Sequence, residues 1–294
     1  MMRFLSSLLL GSLVICDRSQ IGPIEIVVGR FSENLDWLGK AQFIADNYVI
    51  YNKNPLSPIK CPENQSCYVE ELPNVGREGH SYLHHIITNY ESLAEVTVFL
   101  PGSITFEFNQ LTSKRVTEKA RKTLNTVFTR AYKKDILTKF ESYQKDGHYE
   151  ATNAANLAAN PDTKLLDCPE RPFGAWFRKN FPHIVEPVYG NSQWGIFAVG
   201  KQHILQHPKE YYERLIKYLD HHHNPEAGHF FEVAWGAVFY PYPDVQLMQC
   251  TRRKELAFGG CDYDPLRLLE SSAFPGFTGA ACAAFALFAF LLVH

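Results

Sequence analysis

Residues 72–100 read LPNVGREGHSYLHHIITNYESLAEVTVFL, a helix pattern followed directly by a strand pattern. Apolar side chains recur at helical spacing from Glu78 to Tyr90, which predicts an amphipathic helix. Its apolar face would be formed by Leu83, Ile86, Ile87 and Tyr90. Glu95–Leu100 (EVTVFL) is a short β-branched run stopped by Pro101-Gly102, which predicts a strand. Helices that alternate with strands indicate a parallel α/β sheet.

The segments on either side repeat this alternation. Further strands are predicted at Ile24–Gly29, Tyr48–Tyr51 and Gly195–Val199. Further helices are predicted from Ser32, within 113–146, at Lys209–Asp220 and at Glu226–Tyr240. The sequence therefore predicts one α/β domain with a mainly parallel sheet flanked by helices. Ligands of such sheets bind at the carboxyl ends of the strands, so the loops after Gly29, Tyr51 and Leu100 are the candidate site.

The N-terminus has the pattern of a secretory signal peptide. Arg3 precedes the apolar stretch Phe4–Ile15, which is too short to cross a hydrocarbon core of roughly 30 Å. We predict cleavage after Cys16, so that residues 1–16 are the signal peptide and 17–270 the globular domain. An uncleaved signal anchor is the alternative.

The C-terminal segment 271–294 carries no Lys, Arg, Asp or Glu. Three small residues from Ser271, a short spacer and the apolar run Ala280–Val293 form the layout of a glycosylphosphatidylinositol (GPI) signal, with Ser271 as the lipid-anchor residue. A transmembrane helix over 274–293 is the alternative, but such helices normally end in cytoplasmic Lys or Arg. We therefore expect a GPI-anchored protein at the cell surface, reached through the secretory pathway.

Charge and cysteines fit that setting. The net charge of -2 gives no basic balance that would indicate nucleic acid binding. In an oxidising lumen some cysteines should pair. Cys61 and Cys67 close a short loop and are the favoured pair, Cys250 and Cys261 are the second choice, and Cys168 is left over. The loop CPENQSC also contains Asn64-Gln65-Ser66, which predicts N-glycosylation of Asn64.

The densest polar pattern surrounds the start of the helix predicted from Glu78. Backbone N–H groups at such a position favour anions, and an arginine can bind a phosphate through two parallel hydrogen bonds. The candidate anion-binding residues here are Asn74, Gly76, Arg77 and Glu78. His80 and His84 lie four residues apart and are candidate metal ligands. The alternative is a solvated polar helix face that includes Ser81 and Thr88.

Two weaker patterns accompany it. In GHFFEVAWGAVF (228–239), Glu232 lies on the flank of the apolar helix face between Gly228 and Gly236. A carboxylate among aromatic side chains can act as a general base, although packing of the helix with Glu232 paired to an arginine is the alternative. Arg30 and Glu33 follow the first strand, where they would meet a ligand or serve as caps and surface charges.

Several segments together resemble one family. They are IEIVVGRFSENLDWL, YVIYNK, LPNVGREGHSYLHHIITNYESLAEVTVFL, QWGIFAVGKQHILQHPKEYYERL and FEVAWGAVF, which cover most of 24–240. The family resembled is a eukaryotic domain of unknown function in secreted and membrane-attached proteins, so the resemblance implies relatives and no reaction.

The same segments are remotely similar to glycosyltransferases of the GT-A type, which have a single α/β nucleotide-sugar domain. That resemblance implies transfer of a sugar from a nucleotide donor, usually with Mn²⁺ or Mg²⁺. Gly76 and Arg77 would bind the donor phosphates, Glu232 would be the acceptor-side base, and Arg30 and Glu33 would line the donor cleft. Such enzymes place an Asp-x-Asp motif after a central strand, whereas here VTVFL runs into Pro-Gly-Ser. The alternative is a non-catalytic surface protein that binds glycans or proteins, since nucleotide sugars are scarce outside the cell.

The GPI anchor is testable on intact cells. We expect phosphatidylinositol-specific phospholipase C to release the protein into the medium, because cleavage of a lipid anchor leaves no peptide in the membrane. Immunoblotting of medium and cell pellet measures the release. A protein that remains with the pellet would support the transmembrane helix instead.

Overall fold

The structure is a computed structural model, and it describes residues 22–40, 43–59, 61, 67–104, 107–130, 164–184, 190–241, 246–251 and 260–262. The predicted signal peptide, the sequon at Asn64 and the C-terminal segment from Ser271 lie outside these residues. Within the described ranges, no helix is both long enough and apolar enough to cross a membrane.

The chain folds around a mixed, mostly parallel sheet. Its strands are β1 (Ile24–Arg30), β2 (Asn47–Asn52), β3 (Cys67–Glu71), β4 (Val96–Pro101), β5 (Val127–Arg130), β6 (Gly190–Asn191), β7 (Phe197–Gly200), β8 (Gln246–Thr251) and β9 (Gly260–Asp262). Their spatial order is β3-β2-β1-β4-β7-β5-β8-β9, with β6 beside β5. Strands β1 to β4 are mutually parallel, and β7 runs antiparallel between β4 and β5.

Helices cover both faces of this sheet. They are α1 (Arg77–Thr88), α2 (Glu107–Thr123), α3 (Phe173–Asn180), α4 (Lys201–Leu205), α5 (Lys209–Ile216) and α6 (Glu226–Val238). α1 packs on β1 and contacts α5 and α6, whereas α2 packs on β4, β5 and β7. Two separate apolar clusters fill the layers above and below the sheet. The predicted single α/β domain with a mainly parallel sheet flanked by helices is therefore confirmed.

Strand β1 is buried along its whole length, as expected for a central parallel strand. Ile26 and Val28 pack into one apolar cluster, and Val27 packs into the other. The exception in this apolar run is Glu25, which is only 1% exposed. A carboxylate buried at the centre of a sheet needs a polar partner.

That partner comes from α1. Glu25 Oε2 lies 3.0 Å from His85 Nε2, and both side chains are buried. The other ring nitrogen, Nδ1, lies 3.0 Å from the hydroxyl of Tyr51 on β2 and 3.3 Å from the amide nitrogen of Asn89. One imidazole therefore joins two neighbouring strands to the helix that covers them.

Two local predictions are wrong. No helix begins at Ser32, because the Glu33 carboxylate accepts hydrogen bonds from Phe31 N (2.8 Å) and Ser32 N (3.1 Å) and holds the chain in a turn. The helix prediction for 113–146 is confirmed up to Thr123, where α2 ends, and is wrong at Val127–Arg130, which forms strand β5 between β7 and β8. Residues 131–146 lie outside the described part of the chain. Tertiary pairing of Val127 with its neighbours outweighs the local helix pattern.

The favoured disulfide is present. Cys61 is bonded to Cys67 with a Cα–Cα distance of 5.8 Å, and Cys168 is a buried free thiol, so both predictions are confirmed. The backbone register of β8 and β9 places Cys250 directly opposite Cys261. A bond between these two cysteines stays a prediction.

Replacement of Glu25 tests the buried contact with His85. We expect Glu25→Ala to destabilise the protein by about 3–5 kcal/mol, because it leaves a buried imidazole without its carboxylate. The matched control is Glu95→Ala, whose exposed carboxylate should change the free energy of unfolding by less than about 0.5 kcal/mol. Urea unfolding measures both. Equal effects of the two variants would show that the contact does not stabilise the fold.

Candidate functional site

The strand order defines one place where loops diverge. β1 leads outward to β2 and β3, whereas β4 lies on the other side of β1, so the connections part at the carboxyl ends of β1 and β4. The loop after β4 touches the end of β1, since Gly102 N donates to Gly29 O at 2.7 Å. Side chains of α1 and α6 gather above this edge.

The turn before α1 is tightly constrained. Gly76 has φ 58°, and a Cβ atom there would lie 2.3 Å from the carbonyl oxygen of Leu219. Its N–H donates to His222 O at 2.7 Å. The next residue, Arg77, also has a positive φ, of 52°. A non-glycine residue in this conformation is strained, and such strain persists where surrounding contacts enforce it.

Lys53, which follows β2, supplies those contacts. Its amine donates to the carbonyl oxygens of Val75 and Arg77 on either side of Gly76. The side chain is 5% exposed. Burial lowers the pKa of Lys53 to about 7, and the nearby charge of Glu78 opposes that shift. The turn is therefore held by an amine that titrates close to neutral pH.

Four charged or titratable side chains meet beside this turn. Arg77 Nε lies 3.8 Å from Glu78 Oε2, and Arg77 Nη1 lies 3.5 Å from His229 Nε2. His229 Nδ1 lies 3.4 Å from Glu232 Oε1. The cluster of Arg77, Glu78, His229 and Glu232 thus joins the start of α1 to the middle of α6, and we call it the α1–α6 cluster.

The pKa of Glu78 is shifted by its position in the α1–α6 cluster. Burial raises its pKa, the neighbouring Arg77 lowers it, and the charge of Glu232 raises it further. The side chain packs close to two glycines: a Cβ on Gly29 would lie 3.1 Å from Glu78 Cβ, and one on Gly195 would lie 3.1 Å from Glu78 Cγ. Glu78 and Glu232 are thus two carboxylates close enough to influence each other, in different environments, an arrangement typical of acid–base pairs.

A strained turn before β7 borders the same cluster. Trp194 and Gly195 both have φ 68°, and Tyr82 OH donates to Gly195 O at 2.9 Å. The indole of Trp194 is 37% exposed. An exposed aromatic ring next to partly buried carboxylates provides an apolar surface on which a ligand can stack.

Arg30 and Glu33 lie at the same edge of the sheet, where they stabilise the loops after β1 and β2. Arg30 Nε donates to Glu33 O at 2.7 Å, and its Nη atoms donate to Asn52 Oδ1, Ser57 O and Ser57 Oγ at 2.8–2.9 Å. Burial lowers the pKa of Arg30, whereas the charge of Glu33 raises it. Their predicted contact with a donor stays a prediction, while the structure shows them bracing the loops after β1 and β2.

The two candidate metal-binding histidines contact each other and residues of β2 and β3. His84 Nε2 lies 3.0 Å from Glu70 Oε1, and the rings of His80 and His84 stack at 6.2 Å. Burial, together with Lys53 and His84, lowers the pKa of His80 to about 3. Among the residues described, no group of three or more His, Cys, Asp or Glu side chains is placed to hold a metal.

The polar face of α1, which includes Ser81 and Thr88, is less exposed to solvent than expected. Ser81 is completely buried and His80 is 6% exposed. Ser81 is buried because its side of α1 packs on β1, where a Cβ on Gly29 would lie 3.3 Å from Ser81 Oγ. The interpretation of this polar face as solvated along its whole length is therefore wrong. Asn74 is half-buried in the loop before Gly76.

The sequence predicted that Gly76, Arg77, Glu78 and Glu232 belong to one functional site. It did not identify Lys53, His229 and Trp194 as site residues. His229 lies three residues before Glu232, a spacing that places both on one helix face and could have identified it. Lys53 and Trp194 carry no comparable signal, since both reach the site through tertiary packing.

These features define a single-domain α/β protein with a polar cluster at the carboxyl edge of its sheet. The chain belongs to the family described as protein of unknown function (DUF3431), which matches residues 26–256. No curated protein matches the chain.

The lowered pKa of Lys53 predicts a pH-dependent stability. Between about pH 7 and 10.5 the unfolded chain holds a proton on Lys53 that the folded chain has lost, so stability rises with pH across this window. Wild type should gain up to about 4 kcal/mol over Lys53→Met across that window, since each pKa unit is worth about 1.4 kcal/mol.

Urea unfolding of both proteins at several pH values measures this difference. A titration of the Lys53 side chain by NMR gives the pKa directly. A stability difference that does not change between pH 7 and 10.5 would contradict the prediction.

Proposed function

We propose that this protein is a glycosyltransferase-like enzyme of the GT-A type that transfers a sugar from a nucleotide donor. The observation that carries the proposal is the α1–α6 cluster, which places a carboxylate pair and an arginine above the point where the strand order diverges. Open α/β sheets bind their ligands at such points, and β3-β2-β1-β4 matches the first four strands of the dinucleotide-binding order 3-2-1-4-5-6.

Arg77 is the residue proposed to bind the donor phosphates. It follows the constrained Gly76 turn at the start of α1, where the helix dipole adds positive potential. Lys53 holds the carbonyl groups of this turn and therefore fixes the direction of Arg77. An anion that binds here would also favour the charged form of Lys53.

Glu232 is the proposed general base. The acceptor hydroxyl would give its proton to Glu232 while its oxygen bonds to the anomeric carbon and the bond from that carbon to the phosphate breaks. His229, 3.4 Å from Glu232 Oε1 and almost fully buried, would orient the carboxylate. Glu78, whose pKa burial raises, would be the second carboxyl group beside the ligand, in a different environment from Glu232.

The described residues do not fit a resident Mn²⁺ or Mg²⁺ ion. The two carboxylates of the α1–α6 cluster are accompanied by a histidine and an arginine, and no third carboxylate completes a ligand set among the residues described. We therefore derive no step through a metal.

A second function is favoured by Trp194. Its half-exposed indole lies beside the α1–α6 cluster and would stack on a sugar ring in a protein that binds glycans without catalysis. The proposed GPI anchor fits this function too, since nucleotide sugars are scarce at the cell surface.

Substitution of the proposed base separates the two functions. We expect Glu232→Gln to reduce sugar transfer about 10²–10⁴-fold and to leave donor binding intact, because the amide keeps the shape but accepts no proton. Glu210→Gln on the exposed surface of α5 is the matched control and should retain full activity. Transfer is measured with a panel of nucleotide sugars and simple glycoside acceptors.

Thermal-shift measurements on the purified ectodomain identify the donor independently of turnover. A donor at a hundredfold excess over its Kd should stabilise the fold by about 2.7 kcal/mol. Stabilisation by glycans, with none by any nucleotide sugar, would contradict the transferase function and support the glycan-binding function. Full activity of Glu232→Gln would remove Glu232 from the mechanism.

A further inference from the structure

A concave site lies near the α1–α6 cluster and shares none of its residues. It is a cavity of about 350 Å³ between the loop 166–170, the end of α3, the segment that follows α5 and the start of α6. That volume is within the range of small-molecule sites.

One wall of this cavity is positively charged. Arg214 and Lys217 project from the last turn of α5 and the residue after it, and both line the cavity. Neither forms an ion pair with a carboxylate in the part of the chain that the structure describes. Arg214 lies over the ring of Tyr211, 5.3 Å from its centroid, which holds the guanidinium in place.

The acidic residues at the opposite wall already have partners. Glu170 is paired with Lys179, and Asp167 Oδ2 lies 2.5 Å from Arg171 Nη1. Arg171 is shared with the buried Glu226, 3.0 Å from its Nε, so it balances Asp167 only in part. The charged side chains that line the cavity are still three cations, Lys179, Arg214 and Lys217, against two anions, Asp167 and Glu170. The charge of Arg214 and Lys217 also complements the C-terminal dipole of α5, but that role leaves their outward N–H groups able to bind an anion.

The rest of the lining is apolar or neutral. Leu166, Pro169, Pro225 and Ala227 supply hydrocarbon surface, and Tyr218 supplies an aromatic ring. Cys168 also lines the cavity, but burial raises the pKa of its thiol to about 12, so it remains protonated and unreactive at neutral pH. The lining is suited to binding and not to covalent chemistry.

We propose that this cavity binds a small organic anion. Its phosphate or carboxylate group would contact Arg214 and Lys217, and its apolar body would pack against Tyr218 and the prolines. Arginine offers a planar pair of donors that matches either group, and lysine adds a second charge. The site does not rest on sugar transfer, since neither Arg77 nor Glu232 lines it.

The cavity is connected to the α1–α6 cluster through one loop. His221 lines the cavity, and the adjacent His222 accepts the hydrogen bond of Gly76 N. Leu219, two residues before His221, is the residue that a side chain on Gly76 would strike. The same short segment therefore forms a wall of the cavity and the support of the α1 turn.

Binding is tested by calorimetric titration of the full protein with phenyl phosphate and with benzoate, which represent the two anion chemistries. Benzyl alcohol is the neutral analogue and inorganic phosphate the anion without an apolar body. We expect at least one organic anion to bind saturably below about 10 mM, more weakly as salt is added. Both benzyl alcohol and inorganic phosphate should bind at least tenfold more weakly than that anion.

Variants assign the binding to this cavity. The double substitution of Arg214→Gln and Lys217→Gln should weaken binding of the organic anion at least tenfold. Lys209→Gln, which removes a charge from the other end of α5, should not change the affinity. Both replaced side chains are exposed, so the fold is retained, and circular dichroism checks this. Lys217→Gln alone, with a smaller loss expected, serves if the double variant unfolds.

No saturable binding of either organic anion to wild type would overturn the proposal. Unchanged affinity in the double variant, or equal affinity for benzyl alcohol, would also overturn it. Glu232→Gln should bind the anion as wild type does, so this result is independent of the sugar-transfer assay.

Discussion

The buried contact between Glu25 and His85 is the constraint on which the rest of the structure depends. A carboxylate on the central strand β1 can be buried only with a polar partner, and His85 on α1 supplies one. The contact fixes both the rotation of α1 and its position along the strand. Arg77 and Glu78 lie about two turns before His85, so the same contact places them above the end of β1.

A second constraint aligns α6 with α1. Lys53 from the loop after β2 and His222 from the loop before α6 both bind the backbone around Gly76. Three segments that are far apart in the chain therefore meet at one turn. Because α6 begins four residues after His222, this turn also decides where Glu232 lies relative to Glu78.

The fold was largely predictable because its signals are local. The apolar run of β1 and the helical spacing of Leu83 and Ile86 depend on neighbours in the sequence. Strand β5 was not predictable, since Val127–Arg130 continues a charged, helix-prone stretch and becomes a strand only through pairing with β7 and β8.

The residues of the candidate site fall into the same two groups, those identified by local sequence patterns and those placed by the tertiary fold. Arg77, Glu78 and Glu232 lie in patterns that local chemistry identifies, whereas Lys53 and Trp194 are ordinary residues until the fold brings them to the cluster. The burial of Ser81 shows the same limit, because a polar helix face is solvated only if nothing packs on it. The signal peptide and the lipid anchor rest on the sequence alone and stay predictions.

Glu78 and Lys53 together give the carboxyl edge of the sheet an adjustable charge. Burial raises the pKa of Glu78 and lowers the pKa of Lys53 to about 7, so each group lies nearer to its neutral form than it would in water. A negatively charged ligand beside them favours a proton on both, and a positively charged ligand favours the loss of both protons. The binding or release of a charged ligand at this edge is therefore coupled to proton exchange with solvent. The net charge of the edge depends on the ligand that is bound there.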